Sequence, residues 1–185
     1  MTRGMSGRLL VATPRLVDPH FHRTVVLLLD HGPDGALGVV LNRILPVAVD
    51  SVLPGWQEVT SSPGGLFQGG PVGLDGAIGV AVGVAVGGGL TTVDPMAGPF
   101  GLVDLDSDPD ELVGKVDGLR IFAGHAGWSG GQLEEELDER AWFVVDAEPA
   151  DAYTPEPDTL WRRVLRRQGG ELAIVANYPP DISMN

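Results

Sequence analysis

The chain contains no cysteine. Disulfides, thiolate metal ligands and cysteine nucleophiles are therefore excluded. Positive charge is scarce: 12 Lys and Arg face 25 Asp and Glu, for a net charge of −13. Lys115 is the sole lysine, an imbalance toward arginine that carries no functional weight. A field of that sign repels nucleic acid and anionic membranes unless the few cations cluster. The opening MTRGMSGRLLVATPRL lacks the apolar core of a secretion signal, so the expected location is the cytoplasm.

Long spanning runs are missing too. Residues 76–93, GAIGVAVGVAVGGGLTTV, carry no charge and approach the length of a membrane helix. Their pattern is a strand's. Ile78, Val80, Val82, Val84 and Val86 alternate with glycine and alanine, giving one bulky face and one flat face that another backbone can approach. No membrane association is expected.

What the chain does have is turn chemistry, 27 glycines and 15 prolines among 185 residues, with 43% apolar content. That composition suits one domain, 1–185, of short elements around a core, with residues 1–6 expected to be disordered outside that core. TVVLLLD (24–30) reads as a strand buried on both faces, and Asp34-Gly35 supplies a hairpin turn to a second arm over 36–42. A short helix is expected over 47–53, and strands over 66–68, 90–93, 119–123 and 141–146. Asp108 with Pro109 opens a helix to about Val116, and Asp158 caps a final helix that Gly169-Gly170 ends. Hairpins with helices inserted late favour an α+β fold over a doubly wound sheet.

The most suggestive stretch is GHAGWSGGQLEEELDERAW (124–142). Gly127-Trp128-Ser129-Gly130-Gly131 matches the G-x-S-x-G elbow of serine hydrolases. In that fold the histidine base follows the serine, whereas His20, His22, His31 and His125 all precede Ser129. A helix start accounts for more: Ser129 and Gln132 form an S-x-x-Q capping box, with Trp128 and Leu133 as a hydrophobic staple. Glu136 and Arg140 have the spacing of an ion pair. The loop's backbone N–H groups would also suit an anion.

Other candidates are weaker. His20-Phe21-His22, with His31, offers three nitrogens but no established metal spacing; surface or packing roles are the expectation, and neither a metal nor a cofactor is assigned. Arg43 can grip a carboxylate or phosphate with its planar fork, or pair with an acid. Gly69-Gly70 allows close approach of a ligand or forms a tight bend. The helix DTLWRRVLRRQ carries Arg162, Arg163, Arg166 and Arg167 opposite Leu160, Trp161, Val164 and Leu165, a basic stripe that either binds phosphates or is solvated. The candidate ligand-binding set is Asn42, Arg43, Gly69, Gly70, His125 and Trp128.

The blocks GRLLVATPRLVDPHFHRTVVLL, GALGVVLNR, FQGGPV and GHAGWSGGQLEEELDERAW, with the ending YPPDISMN, resemble the bacterial YqgE/AlgH family over most of the chain. Two positions depart from its pattern. His125 stands where an aromatic such as tyrosine is usual, and Ser129-Gly130 stands where Gly-Pro is common. The resemblance implies an α+β fold with a mixed, mostly antiparallel, partly barrel-like sheet and helices packed around it. It implies no catalytic residue, and family members are described as candidate transcriptional regulators. Three functions follow as expectations. The first is a non-enzymatic binding or regulatory module acting through a protein partner or small ligand. The second is a transcriptional regulator associating with DNA, which the net charge disfavours without excluding. The third is a hydrolase using Ser129.

Overall fold

The computed structural model describes residues 4–83, 86 and 88–179. Ten strands are found there: β1 (Arg8–Ala12), β2 (Val25–Gly32), β3 (Gly35–Val40), β4 (Ile44–Ala48), β5 (Gly65–Gln68), β6 (Val72–Val82), β7 (Val93–Ala97), β8 (Phe100–Val103), β9 (Gly118–Ser129) and β10 (Trp142–Asp146). Three helices, α1 (Gln132–Asp138), α2 (Leu160–Gln168) and α3 (Gly170–Val175), complete the fold. The order β10-β1-β2-β3-β9-β6-β8-β7 curls into a half-barrel, and the pairing along it is antiparallel. Beside this path, β4 pairs with β5, and β5 runs parallel to β9. This is the mixed, mostly antiparallel α+β arrangement expected from the sequence.

The strand period of two explains how the sheet buries both faces. Leu9, Val11, Leu27 and Leu29 point to one side, where they meet Phe67, Phe122 and the apolar face of α2. Leu10, Ala12, Val26 and Leu28 point to the other, against Trp128, Leu133 and Trp142. A third cluster gathers Val49, Trp56, Leu66, Leu112 and Ile121 at the far end of β9. The hairpin of β2 and β3 forms as expected, but with Gly32 opposite Gly35 its turn residues are Pro33-Asp34, one position before the expected Asp34-Gly35 turn. Trp161 on α2 donates its indole N–H to the carbonyl of Ala12, 2.9 Å away, which fixes the helix on β1.

Several local expectations are corrected. Residues 47–53 do not form a helix; β4 runs to Ala48 and a single 3₁₀ turn covers Val49–Ser51. Pro46 removes a backbone donor and suits an edge strand, and the Asp50 carboxylate accepts from the amides of Gly55 and Gln57, which shapes the turn instead. Asp108 does cap, accepting from Asp110 N at 3.0 Å, but the turn it opens stops at Leu112. Strand β6 ends at Val82, earlier than the alternation suggested; Val84, Ala85 and Gly87 lie outside the described residues. The strand expected over 90–93 begins only at Val93. Helix α2 begins at Leu160, after a 3₁₀ turn over Pro157–Thr159, and no side chain caps it. Of the segment expected outside the domain, Gly4–Gly7 form a turn, with Met5 N donating to His31 Nδ1 at 2.9 Å; residues 1–3 are outside the described part. No described helix is long and apolar enough to cross a membrane.

Close backbone contact at Gly35 provides a test. Its φ is +137°, and a Cβ there would lie 2.2 Å from the carbonyl oxygen of Trp128 on β9. Gly98 also has a positive φ, +52°, but open space around it. Gly35→Ala is expected to cost about 2–4 kcal/mol in urea unfolding, and Gly98→Ala only about 1 kcal/mol, because strain alone operates there. Equal costs would show that the approach to β9 is not what requires glycine.

Candidate functional site

The G-x-S-x-G stretch is not a loop. Residues up to Ser129 belong to β9, with Ala36 opposite Trp128 and Gly35 opposite Ser129. The helix start lies two residues later than the capping box predicts, at Gly131 with φ +83°, and no side chain caps it. Half of the box survives in altered form. Gln132 Oε1 accepts from Ser129 N at 3.0 Å, while Ser129 Oγ donates to that same oxygen at 3.3 Å. The hydroxyl therefore holds no backbone amide, and among the described residues no imidazole bonds to it. The staple does not form at its expected positions, because with Gly131 at the helix start Leu133 is only the second helical residue; Trp128 and Leu133 instead share one buried cluster.

Glu136 has a different role from the expected pairing with Arg140. Its carboxylate accepts both indole N–H groups, from Trp128 at 3.1 Å and Trp142 at 3.0 Å, and the Gln132 side-chain amide at 3.0 Å. Those tryptophans pack edge-to-face with centroids 6.1 Å apart, and Phe21 packs against both, tilted on Trp128 and edge-on to Trp142. Trp128 is thus a core residue with its polar tip satisfied.

The other candidates fall in two places. Gly69 and Gly70 cross β9, where their added Cβ atoms would meet Gly124 O at 2.4 Å and His125 O at 2.2 Å. Gly69 N donates to Ala123 O at 2.9 Å, and Gly69 O accepts from Val40 N at 2.8 Å. His125 faces Val72 in the β6 register. Asn42 and Arg43 line a separate cleft. The histidines do not gather: His31 places its Nε2 2.6 Å from Glu134 and its Nδ1 on Met5 N, while His22 Nδ1 lies 3.2 Å from Leu16 O. This contact holds the Glu134 carboxyl below its usual range. No group of three or more metal-ligating side chains is present among the described residues.

The cleft encloses about 400 Å³ and is lined by His22, Arg23, Asn42, Arg43, Asp158, Thr159, Trp161 and Arg162. Asn42 ties the hairpin to the preceding loop, accepting from Val25 N and donating to Arg23 O, both at 3.0 Å. Arg43 donates to His20 O at 2.7 Å and His22 O at 3.1 Å. Arg23 lies 4.1 Å over the Trp161 ring and donates to Tyr178 O at 2.8 Å. Burial lowers the pKa of Arg23, and the charge of Arg162 lowers it further; burial likewise lowers that of Arg43, against the opposing pull of Asp18. None of the three has a carboxylate within ion-pair distance among the described residues. A guanidinium has five donors, so Arg23 and Arg43 retain unused ones beside the exposed Arg162.

The basic stripe of α2 is divided. Arg167 pairs with Asp151 at 2.8 Å and Glu148 at 3.1 Å, and Arg163 donates to Thr154, Thr159 and Glu156. Arg162 and Arg166 remain exposed.

Sequence reasoning missed Arg120. It is 1% exposed, donates to Thr154 O and Ser62 O, and lies 4.2 Å over Phe67. Burial pushes its pKa down to about 10. Strand alternation in LRIFA placed Arg120 opposite apolar neighbours, but nothing local marked the carbonyls that receive it.

A curled, mostly antiparallel half-barrel with an arginine-lined cleft defines the class of protein structurally. The AlgH-like family model matches residues 9–173, and the chain belongs to that family. It is 56% identical over 184 residues to a UPF0301 protein of Streptomyces avermitilis, covering 98% of this chain and 95% of that one. A UPF0301 protein of Thermobifida fusca is 47% identical over 98% of this chain and 96% of its own length. Two solved structures are similar. The crystal structure of protein DIP2367 from Corynebacterium diphtheriae has a TM-score of 0.88 at 34% identity, over 96% of this chain and 95% of that one. The solution structure of the AlgH protein from Pseudomonas aeruginosa has a TM-score of 0.68 at 25% identity, over 97% and 98%.

Two substitutions separate the roles of Ser129 and Glu136. Ser129→Ala is expected to change unfolding free energy by no more than about 0.5 kcal/mol, as for an exposed side chain outside the core. Glu136→Ala leaves two buried indole donors without their acceptor and is expected to cost about 2–4 kcal/mol, with altered tryptophan fluorescence in the folded state. Glu136→Gln, which keeps one acceptor oxygen, is expected to cost less.

Proposed function

We propose that this chain is a non-enzymatic, cytoplasmic binding or regulatory module, and that its recognition element is the cleft of Arg23, Arg43 and Arg162. The ligand class is a small anion bearing phosphate or several carboxylates. The supporting observation is the convergence of three arginines, two of them partly desolvated, with no carboxylate within ion-pair distance among the described residues, in a chain of net charge −13. Like charges so placed repel, and a bound anion relieves that repulsion with charge-assisted bonds. The volume suits a small molecule. Asp158 on the wall disfavours a ligand that fills the cleft with negative charge on every side, which sets an orientation.

The Ser129 hydrolase reading has no supporting geometry, because its hydroxyl is engaged by Gln132. The DNA-associated reading rests on exposed Arg162 and Arg166.

Calorimetric titration with pyrophosphate and with citrate tests the proposal. At least one is expected to bind and raise the melting temperature. Arg162→Ala is expected to weaken that binding about 10-fold or more, the worth of a charge-assisted contact, while Lys115→Ala leaves it unchanged. Absence of binding by both anions, or equal weakening by the two variants, overturns the cleft as the site. Capture of duplex DNA at low salt, lost steeply toward physiological salt, favours the regulator reading instead.

A further inference from the structure

Among the described residues, two besides glycine adopt a positive φ, Arg23 at +56° and Arg140 at +61°. Both are arginines. Arg23 belongs to the cleft above. Arg140 stands where a helix ends in a Schellman motif: its own N–H donates to Leu137 O at 3.0 Å, and the Ala141 N–H donates to Glu136 O at 2.9 Å. Glycine is the usual residue at that position because it alone adopts the left-handed conformation without strain. This chain, rich in glycine elsewhere, has arginine there. The backbone around it is anchored, since Thr13 Oγ1 donates to Arg140 O at 2.7 Å and Thr13 N to Ala141 O at 2.9 Å. A strained backbone at a well-anchored residue points to a role for its side chain.

Arg140 lines a second cavity of about 220 Å³, with Thr13, Pro14, Arg15, Phe143, Val175 and Tyr178. Four of these residues are apolar or aromatic, and Arg15 and Arg140 are exposed, with no carboxylate within ion-pair distance among the described residues. The intended helix partner of Arg140, Glu136, is spent on the two tryptophans. A mostly apolar lining that includes two arginines matches a ligand that is apolar at one end and anionic at the other. Tyr178 lines this cavity, and its carbonyl accepts from Arg23 of the first cleft.

We infer that this cavity is a binding site for a small aryl or alkyl carboxylate, with Arg15 and Arg140 holding the carboxylate and Phe143, Val175 and Tyr178 the apolar end. The site is independent of the arginine cleft proposed above.

The probe is 4-phenylbutyrate, followed by ligand-observed NMR and by calorimetry, with 4-phenylbutanamide as its uncharged counterpart. The acid is expected to bind at least 10-fold more tightly than the amide. Arg140→Gly is the central variant. Glycine relieves the strain at φ +61°, so the melting temperature is expected to stay level or rise, while affinity for the acid falls at least 10-fold. Arg15→Gln is expected to lower that affinity without unfolding the chain, and Lys115→Ala to leave it unchanged. Equal affinity for acid and amide, absence of binding by the acid, or an Arg140→Gly protein that binds as the parent does would overturn the inference.

Discussion

Strand β9 sits where three other strands converge, and the fold depends on how closely their backbones approach it. Its first half pairs with β6 and β5, and its second half with β3. Gly124, at φ +73°, lies where these partners change, and Gly35, Gly69 and Gly70 come so near that any side chain would strike β9 main-chain atoms. Backbone hydrogen bonds then replace side-chain packing at the junction, with Gly69 joined to both Ala123 and Val40. This close crossing gives the sheet its curl, with α2 against one face and the Phe21, Trp128 and Trp142 cluster against the other. The glycines of FQGG and GHAG are thus explained by backbone clearance.

The same junction carries the chain into Asn42 and Arg43, whose side chains knit the loop before β2 to the end of β3. Arginines serve two purposes in this acidic chain. Arg163 and Arg167 are structural, since they donate to hydroxyls, a carbonyl and carboxylates in well-defined positions, and so is Arg120, whose two terminal nitrogens donate to the carbonyls of Thr154 and Ser62 while its buried Nε has no partner. Arg23, Arg43 and Arg162 line one cavity and Arg15 and Arg140 another, without ion-pair partners among the described residues. An acidic exterior repels anions in general, and these arginine-lined cavities are local exceptions within that field.

Elements governed by neighbours in sequence were legible. The continuous apolar run of β2, the hairpin turn before Gly35 and the amphipathic stripe of α2 each need only a short pattern and a few flanking residues. The failures share another feature. GHAGWS reads as a loop because its glycines suit one, yet ladder bonds to β3 hold it extended. The apolar segment around Val49 reads as helix until Pro46 and the Asp50 turn bonds are placed against β5. Glu136 has the spacing of a partner for Arg140, but two indole groups from different strands reach it first.

The sequence by itself determined the family, the alternation that buries both faces of the sheet, and the exclusion of thiol chemistry, because these depend on residue type and local period. Tertiary structure alone decided which glycines are required, that Arg120 is buried on the carbonyls of Ser62 and Thr154, and which arginines have no acid within ion-pair distance among the described residues. Those outcomes depend on contacts between residues far apart in the chain, whose distances no local pattern encodes.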